Sequence, residues 1–399
     1  MTQFKKTSIA LAVAALASGA AFAQSNVTIY GTVDVGFSHF SGGKAFGTET
    51  EYVGGTPTGP AYGYKNHVKS KNAINAGQSA DSLIGFKGVE DLGNGNKALF
   101  VLEAGFQNDT GAQNGNFLAE QAFLGLTGSW GTAIAGRLVA PRHGFLSALD
   151  PFSAGTVGSY RNTFNDTDAL NIGTPLADVD RVSNAVAYVS PTFSGFNVTA
   201  AYATNGIGEE NVGNVGDARV YTILPRYTNG PLDVGVVYQQ VKLKEVDTKL
   251  KQWAIGGAYD FGAAKVSAFY DTFKVSDDAF GLDNLKLKSW MLGVSVPFGK
   301  HAVQASFNQS KLSGLGNGSD KARQYALGYT YSLSKRTNFY FAYAAIKNDD
   351  GRATSIADAT NSTGFGGAYD TRDAAGDGYV GQLTGYYRKG FQFGLKHDF

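Results

Sequence analysis

The chain has no cysteine among its 399 residues, so disulfides, thiolate metal ligands and thiol nucleophiles drop out at once. Proline is scarce, at nine residues, and because proline interrupts sheet ladders its scarcity leaves room for long strands. After residue 23 no apolar run approaches the roughly 20 residues a spanning helix needs, which excludes a helical membrane protein. A cationic surplus is missing too: 34 Lys+Arg face 33 Asp+Glu, a net charge of +1. That balance argues against a nucleic-acid partner, whose phosphates demand strong basic excess. The histidines, His39, His67, His143, His301 and His397, are scattered and never stand at metal spacing. No G-x-S-x-G elbow is present, so no nucleophile with a positioned base can be read and no enzyme, metal or cofactor is expected.

What the chain does have is glycine (53 residues), 13% aromatics and a slightly negative mean hydropathy of −0.16. It opens with Lys5 and Lys6, an apolar run from Ile9 to Ala17, and small residues ending in Ala21-Phe22-Ala23. This is the pattern of a cleavable signal peptide over 1–23, with Gln24 the mature start. Cleavage removes two lysines and no acid, turning the net charge to −1. Residues 24–399 show no linker and read as one domain.

Strict alternation marks both ends of that domain. Val27, Ile29, Gly31, Val33, Val35 and Phe37 alternate with Thr28, Tyr30, Thr32, Asp34, Gly36 and Ser38. Phe391, Phe393, Leu395 and Phe399 alternate with Gln392, Gly394, Lys396 and Asp398, with His397 interrupting the apolar side. A two-residue period puts one greasy and one wet face on a strand. Sixteen such segments are predicted, near 26–40, 78–89, 96–107, 116–128, 132–137, 183–190, 196–204, 219–227, 232–242, 250–260, 264–274, 286–297, 301–310, 322–332, 337–347 and 389–399. Short turns alternate with long loops such as 41–77, 138–182 and 348–388, the loop sorting of an outer-membrane barrel with an even strand number. Tyr259 with Phe261, Phe269 with Tyr270, Tyr329 with Tyr331, and Phe339 to Tyr343 stand where interfacial aromatic girdles are expected. The fold class is therefore all-β, a transmembrane antiparallel barrel of sixteen strands, since only helices and closed barrels satisfy their own backbone in lipid.

Seven stretches in order carry a resemblance: Asn26–Asp34, Gly88–Gly95, Ala98–Phe106, Gln121–Leu126, Gly136-Arg137, Asp150-Pro151-Phe152 and Ser190–Phe196. Through them the chain resembles the trimeric general porins of the beta-proteobacterial type. The resemblance implies a homotrimer in outer-membrane lipid and lipopolysaccharide, passing small hydrophilic solutes and ions. It also implies a third long loop, about 138–182, folded into the lumen, and a terminal aromatic, here Phe399, read by the barrel-assembly machinery. A substrate-specific channel of the same fold, an outer-membrane enzyme and a soluble secreted β-protein are the competing readings.

The wet side carries the residues that would set the current. Lys87 shares a non-lipid face with Leu83 and Gly85, Lys97 shares one with Glu103, and Glu120 and Arg137 follow on the next two strands. Arg142, Asp150 and Arg161 fall in the expected constriction loop, and Arg181 stands where the chain re-enters the wall. Relatives typically carry arginine after the serine corresponding to Ser82, before the glutamine corresponding to Gln121 and before the tyrosine corresponding to Tyr188. Here those places hold Leu83, Glu120 and Ala187. Charges along a narrow aqueous path decide which ions enter, so the anion preference of many relatives is expected to be weakened or reversed. The acidic loop with Asp349, Asp350, Asp358, Asp370, Asp373 and Asp377 matches no calcium-loop spacing, and Gly314–Gly318 lacks the strand-to-helix setting of a phosphate loop.

Overall fold

The computed structural model describes residues 26–41, 51–56, 59–63, 70–164, 179–206, 217–243, 248–276, 285–314, 319–349 and 388–399. The segment 1–23 expected to be a signal peptide, His67, residues 165–178 of the third loop and all but the ends of the 348–388 loop lie outside them. The strands are β1 (Asn26–Ser41), β2 (Glu51–Thr56), β3 (Gly59–Gly63), β4 (Lys71–Ala76), β5 (Leu83–Gly93), β6 (Asn96–Gly105), β7 (Gln121–Gly128), β8 (Gly131–Val139), β9 (Arg181–Val189) and β10 (Phe196–Ala203). They continue as β11 (Ala218–Asn229), β12 (Leu232–Leu243), β13 (Lys249–Asp260), β14 (Lys265–Ser276), β15 (Lys286–Phe298), β16 (His301–Ser313), β17 (Ser319–Ser332), β18 (Thr337–Asn348) and β19 (Lys389–Asp398).

All but β2 and β3, a separate hairpin, form one antiparallel sheet that closes because β1 pairs with β19 on one side and with β4 and β5 on the other. β4 and β5 are the two halves of one interrupted strand of the wall, so the barrel has sixteen staves, and closure leaves no unpaired edge for lipid to meet. The sixteen predicted segments match these staves in position. The wall strand expected at 78–89 is the exception, running instead as 71–76 and 83–93. The one expected at 116–128 starts only at Gln121.

The terminal strands show how the sequence sets the wall. Val27 and Ile29 are exposed on the outer face, while Asp34, Ser38 and Gln392 are buried on the inner one. Phe399 and Gly31 exchange backbone hydrogen bonds at 3.0 and 3.2 Å. A side chain at Gly31 would meet the Phe399 ring at 2.5 Å, so the glycine in the greasy row is the seat of the terminal aromatic.

The interruption between β4 and β5 is built on Asp34. Its carboxylate accepts the backbone N–H of Ser79 and Ala80 at 2.7 and 2.8 Å and the Tyr340 hydroxyl at 2.6 Å. Gln78 donates to Gly36 O and Ser38 Oγ at 2.7 and 2.9 Å. Buried polar groups need such partners, and residues 77–82 fold inward to supply them, Asp34 N–H in turn donating to Ser82 Oγ at 2.9 Å. Two of the expected girdle aromatics face inward as well. Tyr340 bonds Asp34, and Phe269 is buried beneath the third long loop, because each lies on the opposite parity from its lipid-facing neighbours Phe341 and Tyr270.

Candidate functional site

The third long loop begins after β8 with the helix Pro141–Leu149, whose proline stands in the first turn, where its missing N–H costs nothing. Phe145, Leu146, Leu149, Tyr160 and Phe164 pack on an apolar section of inner wall made by Leu224, Val237, Ala254, Phe269 and Met291. Tyr160, Phe164 and Phe269 meet edge to face, with centroids 5.2–5.4 Å apart. The loop therefore lies inside the barrel, across the inner faces of β11 to β15 at mid-strand.

Backbone glycine makes the bed for it. A Cβ added at Gly235 on β12 would lie 2.9 Å from Phe145, at Gly256 on β13 2.7 Å from Leu149, and at Gly328 on β17 2.6 Å from Phe152. At Gly293 on β15 it would overlap Pro151. Polar anchors fix the register. Arg142 Nη2 pairs with Asp271 Oδ1 at 2.7 Å with both side chains almost fully buried, and Ser267 Oγ donates to Leu149 O at 2.5 Å. Further along, Val157 N donates to Gln392 Oε1 at 2.7 Å, and Gln324 donates to Gly158 O and Ser159 O at 2.9 and 3.0 Å. Asp150 turns the loop by accepting the N–H groups of Phe152, Ala154 and Tyr160 at 3.0–3.2 Å. His143, in the same helix, lies 3.2 Å from Ser147 Oγ.

Where the loop approaches the wall of β7 to β9, the charges converge. Arg181 Nη2 lies 2.7 Å from Glu120 Oε2 and 3.5 Å from Asp81 Oδ2, and Arg161 reaches Asp180 at 3.5 Å. Arg181 Nε also donates to Glu120 O at 2.9 Å. Arg137 donates to Ala119 O and Ser183 Oγ at 2.5 and 2.6 Å. It follows Gly136, whose φ of 140° marks the register shift in β8. Three arginines thus stand with three carboxylates, formally neutral, in a group held together by charge-assisted hydrogen bonds.

Of the residues singled out in the sequence, Glu120, Arg137, Arg161 and Arg181 come together here. Lys87 and Glu103 form a second inward group. The Lys87 ammonium sits 4.5 Å over the Tyr30 ring, while Glu103 accepts from Tyr30 at 2.6 Å and Gln121 at 2.7 Å. Lys97 stands apart, opposite Asp91 beside a short turn. Arg142 and Asp150 are in the loop but buried, as its anchor and its turn. Leu83 faces inward between Thr32 and Gly105, and Ala187 is buried in an apolar inner-wall cluster with Leu99, Phe123 and Ile134. Sequence reasoning missed Asp81, Asp180 and Asp271. Each sits at or beside a strand end or faces a loop distant in sequence, and no local pattern in the sequence marks it.

Comparison with known proteins points one way. A family profile described as Gram-negative porin matches residues 10–351. An outer membrane porin protein of Bordetella pertussis is 31% identical over 397 residues, covering 88% of this chain and 98% of its own length. Outer membrane porin protein 32 of Delftia acidovorans is 30% identical over 401 residues, covering 99% and 100%. Among solved structures, an anion-selective porin from Comamonas acidovorans aligns with a TM-score of 0.70 and 26% identity, over 94% of this chain and 100% of that one.

Proposed function

The chain belongs to the Gram-negative porin family, a diffusion channel of the outer membrane, and from that premise we propose that it passes ions and small hydrophilic solutes with an anion preference weakened or reversed. One observation carries the reading: the cluster where the loop meets the wall has as many carboxylates as guanidinium groups, with Arg181 paired to Glu120 and Asp81 and Arg161 paired to Asp180. A paired cation presents far less field to a passing anion than a bare one. The two other places where relatives carry arginine hold Leu83 and Ala187, which contribute no charge.

The channel narrows between this cluster and the third loop, with Lys87, Lys97 and Glu103 adding lumen charge and Arg142 and Asp150 fixing the loop. It works as a homotrimer, Phe399 serves the barrel-assembly machinery as a recognition signal, and lipopolysaccharide surrounds the outer half of the wall. Planar-bilayer recordings test the proposal. Ohmic unitary steps with a reversal potential near zero or of cationic sign in a KCl gradient are expected; a strongly chloride-selective potential refutes it.

A further inference from the structure

The cluster at the constriction is neutral by count but not by what it shows the lumen. Arg181 exposes 16% of its side chain and Arg161 17%, whereas Asp81, 3.5 Å from Arg181, exposes 41% and Asp180, 3.5 Å from Arg161, exposes 29%. Glu120, the closer partner of Arg181 at 2.7 Å, exposes only 9%. Both guanidinium groups thus stand behind an aspartate, and the carboxylates are the charges that water reaches first. Coulomb energy falls with distance, so an ion in the lumen feels the nearer member of each pair more strongly. Arg137 does little to offset this, because its Nε and Nη1 are turned to Ala119 O and Ser183 Oγ.

Asp81, the most exposed of these charges, is put there by the break in the wall between β4 and β5, and one residue grips both of its neighbours. The Asp34 carboxylate accepts Ala80 N–H at 2.8 Å. On the other side of Asp81, Ser82 Oγ donates to Asp34 O at 3.1 Å and accepts Asp34 N–H at 2.9 Å. Gly77, whose φ of 65° is the left-handed conformation glycine takes without strain, starts the inward turn and donates to Asp34 O at 2.9 Å. Thr156 N–H donates to Gln78 O, so the third loop closes on the same segment from the lumen side. Asp34 itself is fully buried and meets no ion. We propose that Asp81 is the selectivity-determining residue of this channel and that Asp34 is the positioning residue that holds it in the ion path. The inference rests on the channel reading and adds a ranking of charges that a count of the cluster does not give.

Reversal potentials of the folded protein in a KCl gradient test the ranking by comparing Asp81→Asn with Glu120→Gln, each of which removes one negative charge. With the exposed carboxylate about 5 Å from the ion path and the covered one about 7 Å, the permeability ratio should move toward chloride roughly fifteenfold for Asp81→Asn against roughly sevenfold for Glu120→Gln. A shift in Asp81→Asn no larger than in Glu120→Gln overturns the proposal. Because the chain has no cysteine, exposure can be read separately. Asp81→Cys should be modified by the ethylsulfonate and ethyltrimethylammonium methanethiosulfonates, moving selectivity toward potassium and toward chloride respectively, and Glu120→Cys should react at least about tenfold more slowly; equal rates overturn the proposal. The positioning role is read by a double-mutant cycle. Asp34→Ala should shift selectivity toward chloride, and that shift should shrink by at least about half when Asp81→Asn is already present, whereas equal shifts in both backgrounds refute the role. If Asp34→Ala does not fold, Ser82→Ala, which changes no charge, takes its place in the cycle. Absence of unitary steps in the parent would refute the channel reading itself, whereas equal shifts refute only the ranking.

Discussion

Glu120→Gln isolates the charge argument. Glu120 accepts Arg181 Nη2 at 2.7 Å through its carboxylate and Arg181 Nε at 2.9 Å through its backbone oxygen. The amide keeps the shape and the backbone contact, and Asp81 stays 3.5 Å from the guanidinium, so Arg181 holds its place. What changes is the charge of the cluster, from neutral to one positive. In a water-filled lumen, one unit charge about 7 Å from the ion path contributes roughly 0.6 kcal/mol, favourable to chloride and unfavourable to potassium. The two effects add in the permeability ratio, which should move toward chloride by roughly sevenfold, readable as a shift of reversal potential in a KCl gradient. Glu120→Asp keeps the charge and should move it little. An unchanged potential in Glu120→Gln, or a shift toward potassium, refutes the assignment of this cluster to the constriction.

Other consequences concern the frame. Gly293→Val would drive a side chain into Pro151; overpacking of this kind costs about 1–3 kcal/mol, so the loop should yield into the lumen and unitary conductance should fall while the barrel still forms. Tyr340→Phe removes the 2.6 Å bond to the buried Asp34 carboxylate, and about 1–3 kcal/mol of lost stabilisation should lower the temperature of heat-modifiable gel migration. Phe399→Ala should reduce the folded outer-membrane fraction in cells far more than refolding in detergent, because Gly31 loses only a ring that covers it on the outer face.

The fold was legible because alternation and loop sorting are properties of single strands. Val27 to Ser38 and Phe391 to Phe399 announce their two faces with no reference to the rest of the chain. The pattern fails where the inner face is apolar too. On β14 and β15, Phe269 and Met291 face inward to support the loop, so inner and outer residues look alike and Phe269 reads as a girdle aromatic. The split between β4 and β5 was invisible for a different reason: it depends on Asp34, which lies more than forty residues from the N–H groups it binds. The site was half legible. Arg137, Arg161, Arg181 and Glu120 could be named from parity and loop position, but their pairing could not. Asp180 meets Arg161 only when the third loop folds back on itself, and Asp81 meets Arg181 only when the wall brings residues a hundred positions apart together.

The central claim is the proposal that pairing of the cluster's arginines, with uncharged Leu83 and Ala187 nearby, leaves the anion preference weakened or reversed. Single-channel reversal potentials of the unmodified protein in a tenfold KCl gradient test it most directly. A potential near zero, or of the sign set by potassium, agrees with the account; a potential close to the chloride equilibrium value contradicts it.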